Sequence, residues 1–278
     1  NLCKLCILSD MLILTLKKEG DMIDLLANRW LNSGVEKGDV LLVHSNIKRT
    51  LIEFRRKGFP ITAQTVLDSF LHAIGQEGTL LLPLFNFDFT MGVPFDIRST
   101  PSKMGVLTEA GRNHSASYRT GHPIYSFAAI GYRAKDFQHI DNISAYADDS
   151  PFGLLRKVGG KIASLDLPDQ HSMTFYHHVE EIKQVDYRFY KTFTGTYIDR
   201  DGNSSIKSYK IYVRDIDRGV KTDVNPAGEL MWKAGVYRGC RPLVDSGLRV
   251  AKAQDIFEFV SDIIDSGNAQ GTLYSIGE

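Results

Sequence analysis

The sequence predicts an α/β fold: a layered sheet covered by helices, with a more antiparallel C-terminal β part. Three observations predict it. Two short apolar runs, 39–44 and 79–85, have the uniform hydrophobicity of strands buried on both faces. A helical pattern at 62–74 lies between them, giving the order strand, helix, strand. Beyond about Asp186 the chain becomes rich in Thr, Tyr, Ile and Val around a tight turn, the composition of paired antiparallel strands.

Each element follows from its own residues. Apolar spacing from Ile23 to Leu31 fits a helix that ends at Ser33-Gly34. Gly38 and a polar turn bound the strand Asp39-Val-Leu-Leu-Val-His44, and Gly78 precedes the strand Thr79 to Phe85. Ser102 is the expected N-cap of a helix over Met104 to Arg112. Tyr125 to Ile130 reads as a strand. Ser150-Pro151 reads as an N-cap with proline at the first helical position. The Gly159-Gly160 turn enters a further strand, Lys161 to Leu167. Phe193 to Asp199 and Ile206 to Val213 form a hairpin through Asp199-Arg-Asp-Gly202, and helices follow at Ala227 to Lys233 and Gln254 to Asp265. With no repeat and no linker, residues 22–278 are expected to be a single domain, its antiparallel part from about 186, with 1–21 a peripheral segment.

The totals exclude several classes. Lys and Arg number 33 and Asp and Glu number 33, so the basic excess of a nucleic-acid or polybasic membrane binder is missing. The run Met11 to Leu16 is too short to span a bilayer and lacks the features of a signal peptide. Cys3, Cys6 and Cys240 cannot build a disulfide framework; the lone C-x-x-C of Cys3 and Cys6 has no second pair for zinc, and free thiols fit a cytoplasmic protein.

Three segments carry the chemistry. In Asp166-Leu-Pro-Asp169-Gln-His171-Ser-Met-Thr174-Phe-Tyr-His177-His178-Val-Glu180-Glu181, a helix would set His177 three residues from Glu180 and four from Glu181. A carboxylate that accepts a hydrogen bond from one ring nitrogen raises the basicity of the other, as a general base requires. The bland alternative is a surface helix pair. Metal binding is disfavoured, because adjacent His177 and His178 point about 100° apart on a helix. The second segment, His44-Ser45-Asn46-Ile47-Lys48-Arg49, follows the first buried strand, where α/β proteins bind ligands, and with Arg55, Arg56 and Lys57 it offers cations to phosphates. The third, Arg119-Thr-Gly-His122-Pro123-Ile-Tyr-Ser126, holds His122 extended before proline. A solvated loop and a turn histidine are the bland alternatives for these two. Rossmann, P-loop and nucleophile-elbow motifs are absent, as is the phosphate loop of GNAT acetyltransferases.

Seven pieces in register resemble the aminoglycoside 3-N-acetyltransferase family: Leu41 to Asn46, Gly78 to Pro83, Phe95-Asp96 with Thr100-Pro-Ser102, Arg119 with His122-Pro123 and Ser126, Asp149-Ser-Pro151, Gly160-Lys161, and Thr174-x-x-His177-x-x-Glu180. The resemblance implies an α/β fold that binds acetyl-CoA in an extended groove and transfers its acetyl group to a small-molecule amine. It implies His177 as base, Glu180 as its carboxylate and Asp169 as a further catalytic residue, although the Asp169 loop is one residue longer than the family pattern. The family's strand-end loop, which holds the pantetheine arm, corresponds to His44, Ser45 and Asn46, with Asn46 in place of a serine. Lys48, Arg119, His122 and Ser126 complete the expected donor site; no metal and no nucleic acid or membrane partner is implied, and a homodimer is left open. Tyr176 and His178 replace apolar family positions, so the acceptor pocket is expected to differ. Two acceptors compete, an aminoglycoside and an amino-sugar intermediate of surface-polysaccharide metabolism; a non-catalytic CoA-binding role is the third reading. An acid-lined pocket around Asp88, Asp96 and Asp169 would favour the drug, and a pocket with basic side chains a nucleotide sugar.

Overall fold

The computed structural model describes residues 20–277. The expectations for most of the 1–21 segment, for Cys3 and Cys6, and for the apolar run at 11–16 lie outside the described residues.

Along the chain run α1 (20–32), β1 (Val40–Ser45), α2 (Lys48–Arg56), α3 (Ala63–Ile74), β2 (Thr79–Pro83), β3 (Phe95–Asp96), α4 (Val106–Arg112) and β4 (Tyr118–Arg119). Then come β5 (Phe127–Gly131), α5 (Ala134–Gln138), α6 (Pro151–Lys157), β6 (Lys161–Leu165), α7 (Phe175–Ile182), β7 (Arg188–Ile198) and β8 (Ser204–Arg214). The last are β9 (Val220–Thr222), α8 (Asn225–Lys233), β10 (Arg238–Gly239), β11 (Leu248–Lys252), α9 (Ala253–Asp265) and β12 (Tyr274–Ile276).

The main sheet has seven strands in the order β10-β11-β6-β1-β2-β5-β4. Its centre, β6-β1-β2, is parallel, and the outer strands join antiparallel. Burial on both faces explains the uniformly apolar runs. Alternate residues of β1 enter two cores: Leu41 and Val43 pack with Trp30, Phe54 and Phe70 of α1, α2 and α3, whereas Val40 and Leu42 share a core with Phe152, Phe175 and Ile256 of α6, α7 and α9. Substituting Ala for Phe175 or Trp30, both fully buried, would cost about 3–5 kcal/mol.

A second sheet, β3-β7-β8, carries the expected hairpin, and β9 pairs with β12. β7 begins at Arg188 rather than Phe193 and stays in register with β8 over its whole length. Its early start matters for the site, because it brings Arg188 against α7. Period-two alternation puts Arg188, Tyr190, Tyr212 and Arg214 on one face of this hairpin. That face meets α7 and the turn after it: the Tyr190 hydroxyl lies 3.4 Å from Glu181 Oε1, and the Tyr212 hydroxyl donates to the Val185 carbonyl.

Two local expectations need correction. Ser102 does not cap α4, which starts at Val106 behind Gly105; the Ser102 hydroxyl instead pairs with Thr108. The cations Lys48 to Arg56, for which a solvated loop was the bland alternative, lie on a helix, α2. Ser150 does cap α6, its oxygen accepting from the Gly153 amide, with Pro151 at the first turn. Among the described residues no helix is long and apolar enough to cross a membrane.

Candidate active site

α7 brings an imidazole and a carboxylate together three residues apart. His177 Nδ1 lies 2.7 Å from Glu180 Oε2. The Glu180 side chain is 1% exposed and that of His177 19%. Glu180 is held in turn: the Tyr187 hydroxyl donates to Oε1 at 3.0 Å, and Arg188 Nε forms an ion pair with Oε2 at 2.7 Å. Arg188 also donates to the Tyr212 carbonyl at 3.1 Å. Burial pushes the Glu180 pKa up, but Arg188 and His177 outweigh it, and the net shift is downward. An ionised Glu180 accepts from His177, so the ring proton sits on Nδ1 and the Nε2 lone pair is free. Nε2 has no partner among the described residues and is not a buried orphan.

The His177 pKa is lowered from its ordinary value of 6.5, by burial first and by Arg188 second, with Glu180 working against them. The ring is therefore neutral near pH 7 and able to take a proton. The Tyr146 ring, its centroid 5.3 Å from that of His177, packs beside it. Arg188, Tyr187 and Tyr146 were missed in the sequence. The signal for Arg188 was a lone cation inside the aromatic run Tyr187-Arg188-Phe189-Tyr190.

The neighbours of His177 face elsewhere. His178 is fully buried, with Nδ1 2.6 Å from the Tyr146 carbonyl, and Tyr176 is fully buried too. Both side chains are packed in the protein interior, because consecutive helix positions point about 100° apart. Tyr176 donates to Asp169 at 2.6 Å, Tyr237 donates at 2.5 Å, and Arg249 Nη2 pairs with Asp169 at 2.8 Å. Asp169 is thus buried in a network of its own that does not include His177. Gly228 permits this approach, since a Cβ there would lie 2.4 Å from Asp169 Cγ.

Ser45, Asn46 and Lys48 line a cavity of about 650 Å³ at the carboxyl end of β1. Ile47, Leu51, Ile52, Met104, Val106 and Leu167 make it apolar, and Lys48 and Arg55 add two cations from α2. His177 is not part of this lining; Leu167 is, and the chain runs from there into α7. His44 lies beneath it, 5% exposed, with its pKa lowered to about 4 by burial and by Arg249.

Arg119, His122 and Ser126 lie outside that cavity lining. Arg119 Nε donates to Ser126 Oγ at 3.1 Å, and the guanidinium stacks over Phe95. His122 Nδ1 accepts from the amides of Ile124 and Tyr125, and its Nε2 faces the Lys210 carbonyl at 3.4 Å. Burial lowers its pKa to about 4. These three residues, each at most 6% exposed, tie the β4–β5 edge to the second sheet. No group of three or more His, Cys, Asp or Glu among the described residues is placed to hold a metal ion.

The family profile described as aminoglycoside 3-N-acetyltransferase matches residues 42–265. The chain belongs to this family. It is 26% identical over 173 residues to aminoglycoside N(3)-acetyltransferase VIII of Streptomyces fradiae, covering 53% of this chain and 56% of the relative. It is 25% identical over 176 residues to aminoglycoside N(3)-acetyltransferase IX of Micromonospora chalcea, covering 55% and 59%. These matches span little more than half the length of each relative. The solved structure of AAC-IIIb in a binary complex with CoASH superposes with a TM-score of 0.73 at 19% identity, covering 87% of this chain and 95% of that one. The α/β fold is that of the family's acetyltransferases.

Proposed function

We propose that this chain transfers the acetyl group of acetyl-CoA to an amine of an aminoglycoside or related amino sugar, with His177 as general base. The observation that carries the reading is the 2.7 Å bond from His177 Nδ1 to a buried, ionised Glu180, with Nε2 left free. An ammonium group has no lone pair, so the reacting nitrogen first releases one proton to solvent and attacks as the neutral amine. Nε2 takes a second proton from that nitrogen as it attacks the thioester carbonyl, and Glu180 and its partners stabilise the imidazolium. The tetrahedral intermediate collapses by breaking the carbon–sulfur bond, and the imidazolium returns its proton to the departing thiolate. The products are an amide and CoA thiol.

The cavity by Ser45 and Asn46 suits the donor. Its apolar wall fits a pantetheine arm, and Lys48, Arg55 and the N-terminus of α2 fit its phosphates. A long, thin donor also explains how a cation-bearing groove and a base outside its lining serve one reaction. The relatives' names, and the CoASH in one structural neighbour, agree with this reading. The test is His177→Ala with acetyl-CoA and a panel of amines: turnover falls by about two orders of magnitude while CoA binding by calorimetry persists. Near-normal turnover in that variant would remove the proposal.

A further inference from the structure

Arg188 and Arg214 stand directly opposite each other in the β7–β8 ladder. Residues so placed share a face, and like charges there repel. Only one of the two is compensated. Arg188 is buried against Glu180, whereas Arg214 is exposed and makes no ion pair or hydrogen bond among the described residues. Asp215, next in the chain, accepts from the Arg218 amide instead. The same face carries Tyr190 and Tyr212, ring centroids 4.8 Å apart, so Arg214 continues the surface that covers the catalytic helix. Its charge reaches His177, where it adds to the effects of burial and Arg188.

The acids that would attract a polycation are already neutralised. Asp96 pairs with Arg98, Asp88 with Lys103, and Asp169 with Arg249. Glu181 is buried, and burial raises its pKa. Among the described residues, Arg214 is therefore an unpaired cation on the face that covers α7, and Asp149, beside Glu181, is an unpaired acid nearby.

We propose that Arg214 binds a phosphate carried by the acceptor, so that the acceptor is an amino sugar bearing a phosphate, its amine directed to His177. This rests on the acetyltransferase reading above. A sugar monophosphate and the diphosphate of a nucleotide sugar share the required chemistry. The test is initial-rate kinetics of the full chain with acetyl-CoA. The acceptors are sugars with an amine at carbon 2, 3 or 4, each supplied free, as a sugar phosphate and as a UDP-sugar, with sisomicin as the polycationic control. Wild type is expected to show a KM about tenfold lower for a phosphorylated sugar than for its free counterpart. Arg214→Ala abolishes that preference, Arg214→Lys restores most of it, and Arg214→Glu reverses it, with thermal melts confirming that each variant folds. A gain confined to the UDP-sugars identifies the diphosphate, and a gain confined to the monophosphates identifies the monoester; either supports the proposal. A preference that survives Arg214→Ala, or a wild type that favours sisomicin over every phosphorylated sugar, overturns it while leaving acetyl transfer intact. Consumption of acetyl-CoA with none of the amines would remove both readings.

Discussion

His122 and His177 both stood out in the sequence as candidate site histidines. Their surroundings are opposite. Both ring nitrogens of His122 face backbone: Nδ1 accepts from two amides and Nε2 meets a carbonyl. His177 spends one nitrogen on Glu180 and keeps the other free. A general base needs that asymmetry, one nitrogen to fix the tautomer and one to take the proton. A ring satisfied on both sides is a structural tie.

The sharpest way to break this contrast is to remove each ring. His177→Ala should cost about 100-fold or more in kcat. His122→Ala should leave kcat per folded molecule within a few-fold and instead lower Tm, as expected when buried amides lose their acceptor at about 1–3 kcal/mol. Equal kcat losses in the two variants would erase the distinction.

Glu180→Gln comes next, with an expected loss of about 10- to 100-fold in kcat/KM. Glu180 is the group that raises the His177 pKa, so the acid limb of the pH–rate profile should move to lower pH in this variant. The wild-type limb itself should lie below 6.5, because the folded pKa is depressed and activity is lost as pH falls through it. The variant also strands Arg188 in the interior, so Tm should fall as well. An unshifted limb would show that Glu180 does not tune the base.

Lys48→Glu with Arg55→Glu should raise the KM for acetyl-CoA about tenfold and leave kcat at saturating donor nearly unchanged. An unaltered KM would separate the β1 cavity from the donor.

A further effect, outside the site, is on stability. His44, His122 and His178 each have a folded pKa near 4 against an ordinary 6.5. Below 6.5 the unfolded chain binds the extra protons, so stability is full above that pH and falls towards 4. Each ring should contribute a loss of about 2 kcal/mol by pH 5, measurable by denaturant titration. His122→Asn should flatten this dependence, whereas a His177 variant should alter it less.

Much of this was legible in the residues. Uniform apolar runs marked β1 and β2, because a parallel sheet centre is buried on both faces, and the Gly159-Gly160 turn marked the entry to β6. The spacing of His177 and Glu180 marked the pair, because helix geometry sets three-residue neighbours side by side. What could not be read was long-range. Arg188 reaches Glu180 only because β7 starts early and folds against α7. Tyr176, Tyr237 and Arg249 converge on Asp169 from α7, from the segment after α8 and from β11, contacts no local pattern announces. Arg119, His122 and Ser126 carried a family motif, and their burial along the β4–β5 edge shows only in the fold. β11 was overlooked because its fully buried Arg249 disguises an interior strand.

The most direct measurement is a crystal structure of the protein with CoA and a non-reacting acceptor analogue. The account predicts the coenzyme sulfur and the acceptor nitrogen beside His177 Nε2, the latter within about 3 Å, with the phosphates near Lys48 and Arg55. A sulfur seated next to another residue, with Nε2 of His177 facing only solvent or protein, would contradict it.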